Sequence, residues 1–227
     1  MNPLPQSRRA LITGGSRGLG AAIAAELTLR GVQVMAPDRA TLDLANPASL
    51  DAYLDEHAST EIDILINNAG INVLQGLSFL EPSVWQAMLQ VNLTSALRLT
   101  QAFAPGMAAR GWGRVVNLST IFSLVTKERR AAYSMTKAAL NALTRSAAVE
   151  FGPGGVLVNA LAPGYVDTEL TRRNNSPADI AAIEAAIPLR RLAAPSEIAR
   201  LAAFLATDEN TYITGQTLVA DGGFTCQ

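Results

Sequence analysis

The chain has 227 residues, 49% hydrophobic and only 16% charged, which is ample for a core and excludes a disordered chain or a coiled coil. A net charge of −1 gives no field to draw it onto nucleic acid or an anionic membrane. One cysteine (Cys226) and one histidine (His57) exclude an intrachain disulfide and a Cys/His zinc site.

The opening stretch, MNPLPQSRRA, carries no apolar leader, and no apolar run approaches the ~18 residues of a membrane span. A cytoplasmic protein is expected. From there short apolar runs alternate with helical patterns. Ala10–Thr13 predicts a strand and Leu19–Arg30 a helix. Val32–Ala36 and Ala48–His57 repeat the pair, and His57 reads as a solvated surface histidine. Ile62–Ile66 precedes one long helix over Ser83–Arg110. Arg114–Leu118 precedes Ala131–Phe151. Val156–Leu161 precedes helices over Ala178–Ala186 and Ser196–Ala206, and Thr217–Val219 is the last strand. Pro82, Asp179 and Glu197 suit first helical turns, and Gly111 and Gly152 suit left-handed caps. The strand runs are continuously apolar, as in parallel strands buried on both faces. Strands alternating with helices predict an α/β fold: one doubly wound parallel sheet, helices on both faces, a single domain over residues 1–227.

The first strand runs into Thr13-Gly14-Gly15-Ser16-Arg17-Gly18-Leu19-Gly20, and a helix follows at once. Gly14, Gly18 and Gly20 allow a tight turn with the backbone close to a pyrophosphate, at a helix N-terminus that favours anions. The spacing is G-x-x-x-G-x-G rather than G-x-G-x-x-G, and a ligand-free tight turn is the rival reading. Asp38 follows the second strand, where a carboxylate accepts hydrogen bonds from ribose hydroxyls and repels a 2′-phosphate. Arg39 and Arg17 are suited instead to binding a 2′-phosphate. The cofactor is therefore NAD(H) or NADP(H), leaning to NAD(H).

Tyr133 and Lys137 lie four residues apart on one helical face. With four tyrosines and two lysines in the chain, chance would produce this spacing about 0.04 times. A phenol has an ordinary pKa of ~10, too high for a base near neutrality, and a neighbouring ammonium favours the phenolate. Such a pair suits proton transfer to or from an alcohol oxygen while a nicotinamide carries the hydride.

These motifs resemble the short-chain dehydrogenase/reductase family in its compact Rossmann-type form, over nearly the whole chain. Within it the general likeness is to 3-oxoacyl-carrier-protein reductases. Thr13–Gly20 matches the family's cofactor turn, and Asn67-Asn68-Ala69-Gly70 its N-N-A-G segment. Asn92 matches the helix asparagine that holds a relay water, and Tyr133 and Lys137 the Y-x-x-x-K pair. Pro163-Gly164, with Val166 and Thr168 beyond, matches the nicotinamide-contacting segment. Asp221-Gly222-Gly223 matches the C-terminal turn. The resemblance implies a catalytic tetrad of Asn92, Thr120, Tyr133 and Lys137. It implies cofactor binding by Gly14, Ser16, Arg17, Gly18, Leu19, Gly20, Asp38, Arg39, Asp43, Leu44, Asn68, Ala69, Gly70, Tyr133, Lys137, Pro163, Gly164, Val166 and Thr168.

Two departures stand out. Where the family carries a serine, thirteen residues before the tyrosine, this chain has Thr120, preceded by Ser119; the role is assigned to Thr120 over Ser119. The usual helix between the second and third strands is also missing, because Thr41-Leu42-Asp43-Leu44 follows Asp38 almost directly. Six or seven strands are expected, in the order 3-2-1-4-5-6-7 or without its first member. Residues 166–187 resemble a substrate lid. That lid holds Arg172, Arg173, Asn174 and Asn175, and the loop before Tyr133 holds Lys127, Glu128, Arg129 and Arg130. These basic groups fit an anionic substrate, or simply solvated loops.

The reading is an oxidoreductase interconverting a secondary alcohol and a ketone, with neither nucleic acid nor membrane as partner and no metal. Its long alanine-rich helices suit a homodimer or homotetramer. The alternatives are a catalytically weak dinucleotide sensor or scaffold, and a nucleotide-sugar-modifying enzyme.

Overall fold

The computed structural model describes residues 8–226, with the side chains of Leu170 and Asn174 excepted. The opening stretch 1–7, expected to lack a leader, lies outside these residues, as does the side chain of Asn174 in the lid.

Six strands form one parallel sheet: β1 (Arg9–Ile12), β2 (Gln33–Met35), β3 (Ile64–Asn67), β4 (Gly113–Leu118), β5 (Val156–Pro163) and β6 (Thr217–Ala220). Their order is β2-β1-β3-β4-β5-β6. The expected order appears without its first member. The central strands β1, β3, β4 and β5 are mostly apolar because both of their faces are covered, whereas the edge strands β2 and β6 are partly exposed. Ala10 and Ile12, Ile64 and Ile66, and Val116 and Leu118 point to one layer. That layer is closed by α1 (Gly18–Leu29) and α8 (Pro195–Ala206). The alternate residues Leu11, Leu65 and Val115 point the other way. They meet α2 (Pro47–Glu56), α4 (Ser95–Ala109) and α5 (Ala131–Phe151). Period-two alternation between two apolar layers produces the continuous runs seen in sequence. Each such Leu or Ile, fully buried, contributes roughly 1.5–3 kcal/mol.

The crossover after β2 is short, as expected, and the strand that would follow is lost altogether. Asp38 folds residues 38–42 into a turn instead. Its carbonyl accepts from Leu42 N (2.9 Å), and its Oδ1 accepts from Thr41 N (2.9 Å) and Thr41 Oγ1 (3.0 Å). Leu42 and Leu44 then bury their side chains in the layer under α2 and α4.

Three local expectations need correction. The long helix read over Ser83–Arg110 is two helices, α3 (Pro82–Leu89) and α4, joined by a widened π turn at Gln90–Thr94. Gly152 is right-handed (φ −55) and opens a short 3₁₀ turn, and the left-handed position is Gly155 (φ 76); Gly111 is left-handed as expected (φ 75). His57 is not simply solvated: its ring stacks on Tyr53 at 4.1 Å, and its Nδ1 lies 2.9 Å from the Tyr53 carbonyl. Two short helices, α6 (Glu169–Asn174) and α7 (Pro177–Ala186), follow β5; the first is not among the expected helices, although Thr168 at its N-cap, Glu169 in its first turn and Arg172 and Arg173 in its last suit one.

The order of the strands decides where a ligand can sit. The chain runs from β1 outward to β2, then back across to β3, so connections diverge from the β1/β3 crevice. A parallel sheet accepts ligands at the carboxyl ends of its strands at such a point.

Candidate active site

The turn after β1 and the segment after β3 face each other across that crevice. Thr13 Oγ1 accepts from Asn68 N (3.1 Å) and Ala69 N (3.0 Å). Asn68 Nδ2 returns the contact, donating to Thr13 O (2.9 Å) and Gly14 O (3.1 Å). Gly14 and Gly18 have positive φ (64 and 55), and a Cβ on Gly20 would lie 2.2 Å from Gly14 O. So glycine is required here by backbone approach as well as by conformation. α1 starts at Gly18 with no side-chain cap from Arg17, which leaves first-turn N–H groups for an anion. Ser16 and Arg17 are exposed at its rim, and Leu19 packs against the core. The turn therefore fits a dinucleotide pyrophosphate.

Asp38 and Arg39 lie exposed just beyond β2. The Thr41 hydrogen bonds hold the Asp38 carboxyl below its ordinary range. The Arg39 guanidinium reaches Asp43 Oδ2 (3.3 Å), and a hydrogen bond from the Ala45 backbone, followed by Arg39, lowers the Asp43 carboxyl. The Leu44 side chain is buried, and its carbonyl accepts from Gln90 Nε2 (3.2 Å).

The second group of residues gathers at the ends of β3 and β4. The π turn carries Asn92 inward: Oδ1 accepts from Ile71 N (2.8 Å), and Nδ2 donates to Ile71 O (2.9 Å) and Thr136 Oγ1 (3.1 Å). Both amide hydrogens are thus engaged, and only Oδ1 retains a lone pair for a water. Gly70 lies between Asn92 and Lys137, because a Cβ there would meet Asn92 Oδ1 at 3.3 Å and Lys137 Nζ at 3.4 Å. Lys137 is buried and donates to Leu118 O at 2.6 Å. Burial pushes its ammonium down to about 8.

Thr120 and Ser119 diverge. The Ser119 hydroxyl turns back to Lys137 O (3.4 Å), whereas Thr120 Oγ1 accepts from Phe122 N (3.3 Å) and faces the phenol of Tyr133. Burial raises the half-buried Tyr133 phenol above its ordinary value; the Arg130 charge and the Thr120 hydroxyl pull the other way. The Arg130 charge bears on the phenol, and the Lys137 ammonium is anchored at the end of β4 on the Leu118 carbonyl.

The nicotinamide-side segment closes the site. Gly164 N donates to Ala220 O (3.0 Å), and a Cβ on Gly164 would meet Asp221 Cα at 2.8 Å. Pro163-Gly164 therefore lies directly on the Asp221-Gly222-Gly223 turn. Val166 is buried and bridges Ala193, and Thr168 caps α6 through Thr171 N. The structure thus brings the glycine turn, residues 67–71, the tetrad and Pro163-Gly164 to one edge of the sheet. Asp38, Arg39 and Asp43 lie at its rim. The π turn that delivers Asn92 was not readable from the residues, and neither was the seat of Arg130 over the Phe122 ring.

Comparison with known proteins agrees with this geometry. The family described as Enoyl-(Acyl carrier protein) reductase matches residues 38–225. The chain belongs to the short-chain dehydrogenase/reductase family. It is an NAD(P)-linked oxidoreductase of that family, and its likeness to 3-oxoacyl-carrier-protein reductases holds. It is 38% identical to the acetoacetyl-CoA reductase of Shinella zoogloeoides, over 96% of this chain and 98% of that protein. It is 35% identical to the 3-oxoacyl-[acyl-carrier-protein] reductase FabG of Vibrio cholerae, over 96% and 97%. Among solved structures, a gluconate 5-dehydrogenase from Burkholderia cenocepacia, in complex with NADP and tartrate, superposes with a TM-score of 0.91 at 34% identity, covering 97% of this chain and 96% of the other. Among the described residues no helix is long and apolar enough to cross a membrane.

Proposed function

We propose that the protein interconverts a secondary alcohol and a ketone, with Tyr133 as the proton-transferring group and NAD(H) as the preferred cofactor. The observation that carries the reading is the convergence of Tyr133, Thr120, Lys137 and Asn92 beside a glycine turn fitted to a dinucleotide. The cofactor, when bound, supplies or accepts the hydride at the substrate carbon. Every other task falls to side chains of this protein.

In the reducing direction the Tyr133 phenol gives its proton to the carbonyl oxygen, and in the oxidising direction the phenolate takes it back. Thr120 holds the same oxygen by its hydroxyl, which polarises the carbonyl. Its methyl restricts the rotamer, so the hydroxyl is pre-aimed. The Lys137 ammonium, with donors beyond the one on Leu118 O, feeds protons toward the phenol along the buried face of α5. Asn92 ties Ile71 to α5 through Thr136, and its Oδ1 offers the place for a relay water. Residues 166–187 act as the substrate-side lid, within one domain formed by the whole chain.

The preference for NAD(H) rests on Asp38. Its carboxylate is held ionised by Thr41 and would repel a 2′-phosphate, while Arg39 is turned toward Asp43. The rival, NADP(H), draws on the exposed Arg17 and on relatives such as the 3-oxoacyl carrier-protein reductase of Agrobacterium tumefaciens, which has NADP bound. Steady-state turnover of a ketone panel with NADH and NADPH tests both points. Tyr133→Phe is expected to lower kcat by roughly 10²–10⁴ with dinucleotide binding retained, and kcat/KM is expected to favour NADH. Dinucleotide binding with no turnover of any ketone would instead favour a sensor.

A further inference from the structure

The basic groups around the cleft are not equivalent. Arg172 is held by Asp167 through two short bonds of 2.6 and 2.7 Å. Arg129, with a left-handed backbone (φ 65), clasps the neighbouring loop: its guanidinium donates to Leu74 O (3.2 Å) and its carbonyl accepts from Gln75 N (3.2 Å). The charge of Lys127 bears on Asp179 at the start of α7. Arg130 differs from all three. It is half-buried, and among the described residues no carboxylate pairs with it. Its guanidinium lies over the Phe122 ring at 4.5 Å.

That position is tied to the reacting group from two sides. Phe122 is the residue whose N–H donates to Thr120 Oγ1, and its ring meets the Tyr165 ring edge-on at 6.0 Å and 89°. Arg130 is also the N-cap of α5, three residues before Tyr133, so the two side chains emerge on adjacent positions of the first turn. The Arg130 charge bears on both phenols, Tyr133 and Tyr165. An arginine that lays one face on an aromatic ring keeps its edge N–H groups in a planar fork, and that fork matches a carboxylate.

We propose that Arg130 recognises a carboxylate on the substrate, beside the carbonyl held by Thr120 and Tyr133, so that the substrate class is a short oxo-carboxylate and its hydroxy-carboxylate product. This rests on the reading of Tyr133 and Thr120 given above and deepens it. In the reaction the carbonyl carbon gains a hydride from the reduced dinucleotide and the carbonyl oxygen gains the Tyr133 proton. The carboxylate on Arg130 is left unchanged. A half-desolvated, charge-assisted fork is worth about 2 kcal/mol, or roughly 30-fold in kcat/KM.

The test compares short oxo-carboxylates with their methyl esters, using the wild type, Arg130→Gln and Arg130→Lys with saturating dinucleotide. The wild type is expected to prefer the carboxylate by roughly 30-fold, mainly through KM. In Arg130→Gln that preference collapses toward about one, and in Arg130→Lys it is partly restored, because the charge remains and the planar fork does not. A wild type that favours the ester, or an Arg130→Gln enzyme that loses both substrates in equal proportion, overturns the proposal. Failure of the underlying reading looks different: no ketone of the wider panel is reduced, or Tyr133→Phe reduces both compounds as well as the wild type does. A wild type that reduces other ketones but neither of these two overturns the proposal alone.

Discussion

Strand β4 has a buried cation at each end, and the two are handled in opposite ways. At its start Arg114 is 5% exposed, and at its finish Lys137, 3% exposed, sits on the Leu118 carbonyl. Arg114 donates to the carbonyls of Gly113 (2.8 Å), Gly155 (3.5 Å), Thr207 (3.3 Å) and Asn210 (3.0 Å), and its guanidinium stacks over Trp112 at 4.4 Å. Burial lowers its pKa and Asp208 opposes the shift, but an arginine remains charged. Among the described residues Lys137 has a single carbonyl, at 2.6 Å, and its ammonium is lowered to about 8. The number of acceptors offered to a buried charge separates a fixed rivet from a group poised to give up a proton.

The contrast predicts its own breakage. Lys137→Met should cut turnover by roughly 10²–10⁴ while the urea midpoint holds or rises, because an under-solvated charge leaves the interior. A lowered midpoint with turnover intact would reverse the assignment of the two ends. Arg114→Met should do the converse. It strands several carbonyls, so a loss of about 3 kcal/mol in urea unfolding is expected, with kcat per folded molecule unchanged.

The smallest effect is in pH. The folded pKa of Lys137, about 8, lies below its ordinary 10.5, so between those values the unfolded chain binds the extra proton. Stability therefore rises with pH across that window, by about 2 kcal/mol between roughly pH 8 and 9.5. Lys137→Met abolishes this slope and Arg114→Met leaves it. Stability curves that are flat for the wild type would show that the lysine is not desolvated.

Much of this was readable beforehand, for identifiable reasons. Runs such as Ile64, Leu65 and Ile66 are apolar on both faces, and that pattern survives any detail of packing. The missing crossover showed in the short spacing between Asp38 and Leu44. The Tyr133–Lys137 pair needs only helical geometry. What stayed hidden depends on contacts between distant residues. The π turn at Gln90–Thr94 has no local composition of its own, and it matters because Asn92 must reach Ile71 and Thr136. Arg129, Arg130 and Arg172 look alike in sequence, and only the structure assigns them to Leu74, Phe122 and Asp167.

The vanished third strand also leaves β2 as the rim of the sheet. That rim is three residues long, Gln33–Met35, and Pro37 follows closely. So brief a border offers a visiting polypeptide too few free amides and carbonyls to zip onto, and the proline removes one amide more. The shortening that trimmed this protein has therefore not created a template for fibrous growth along its open flank.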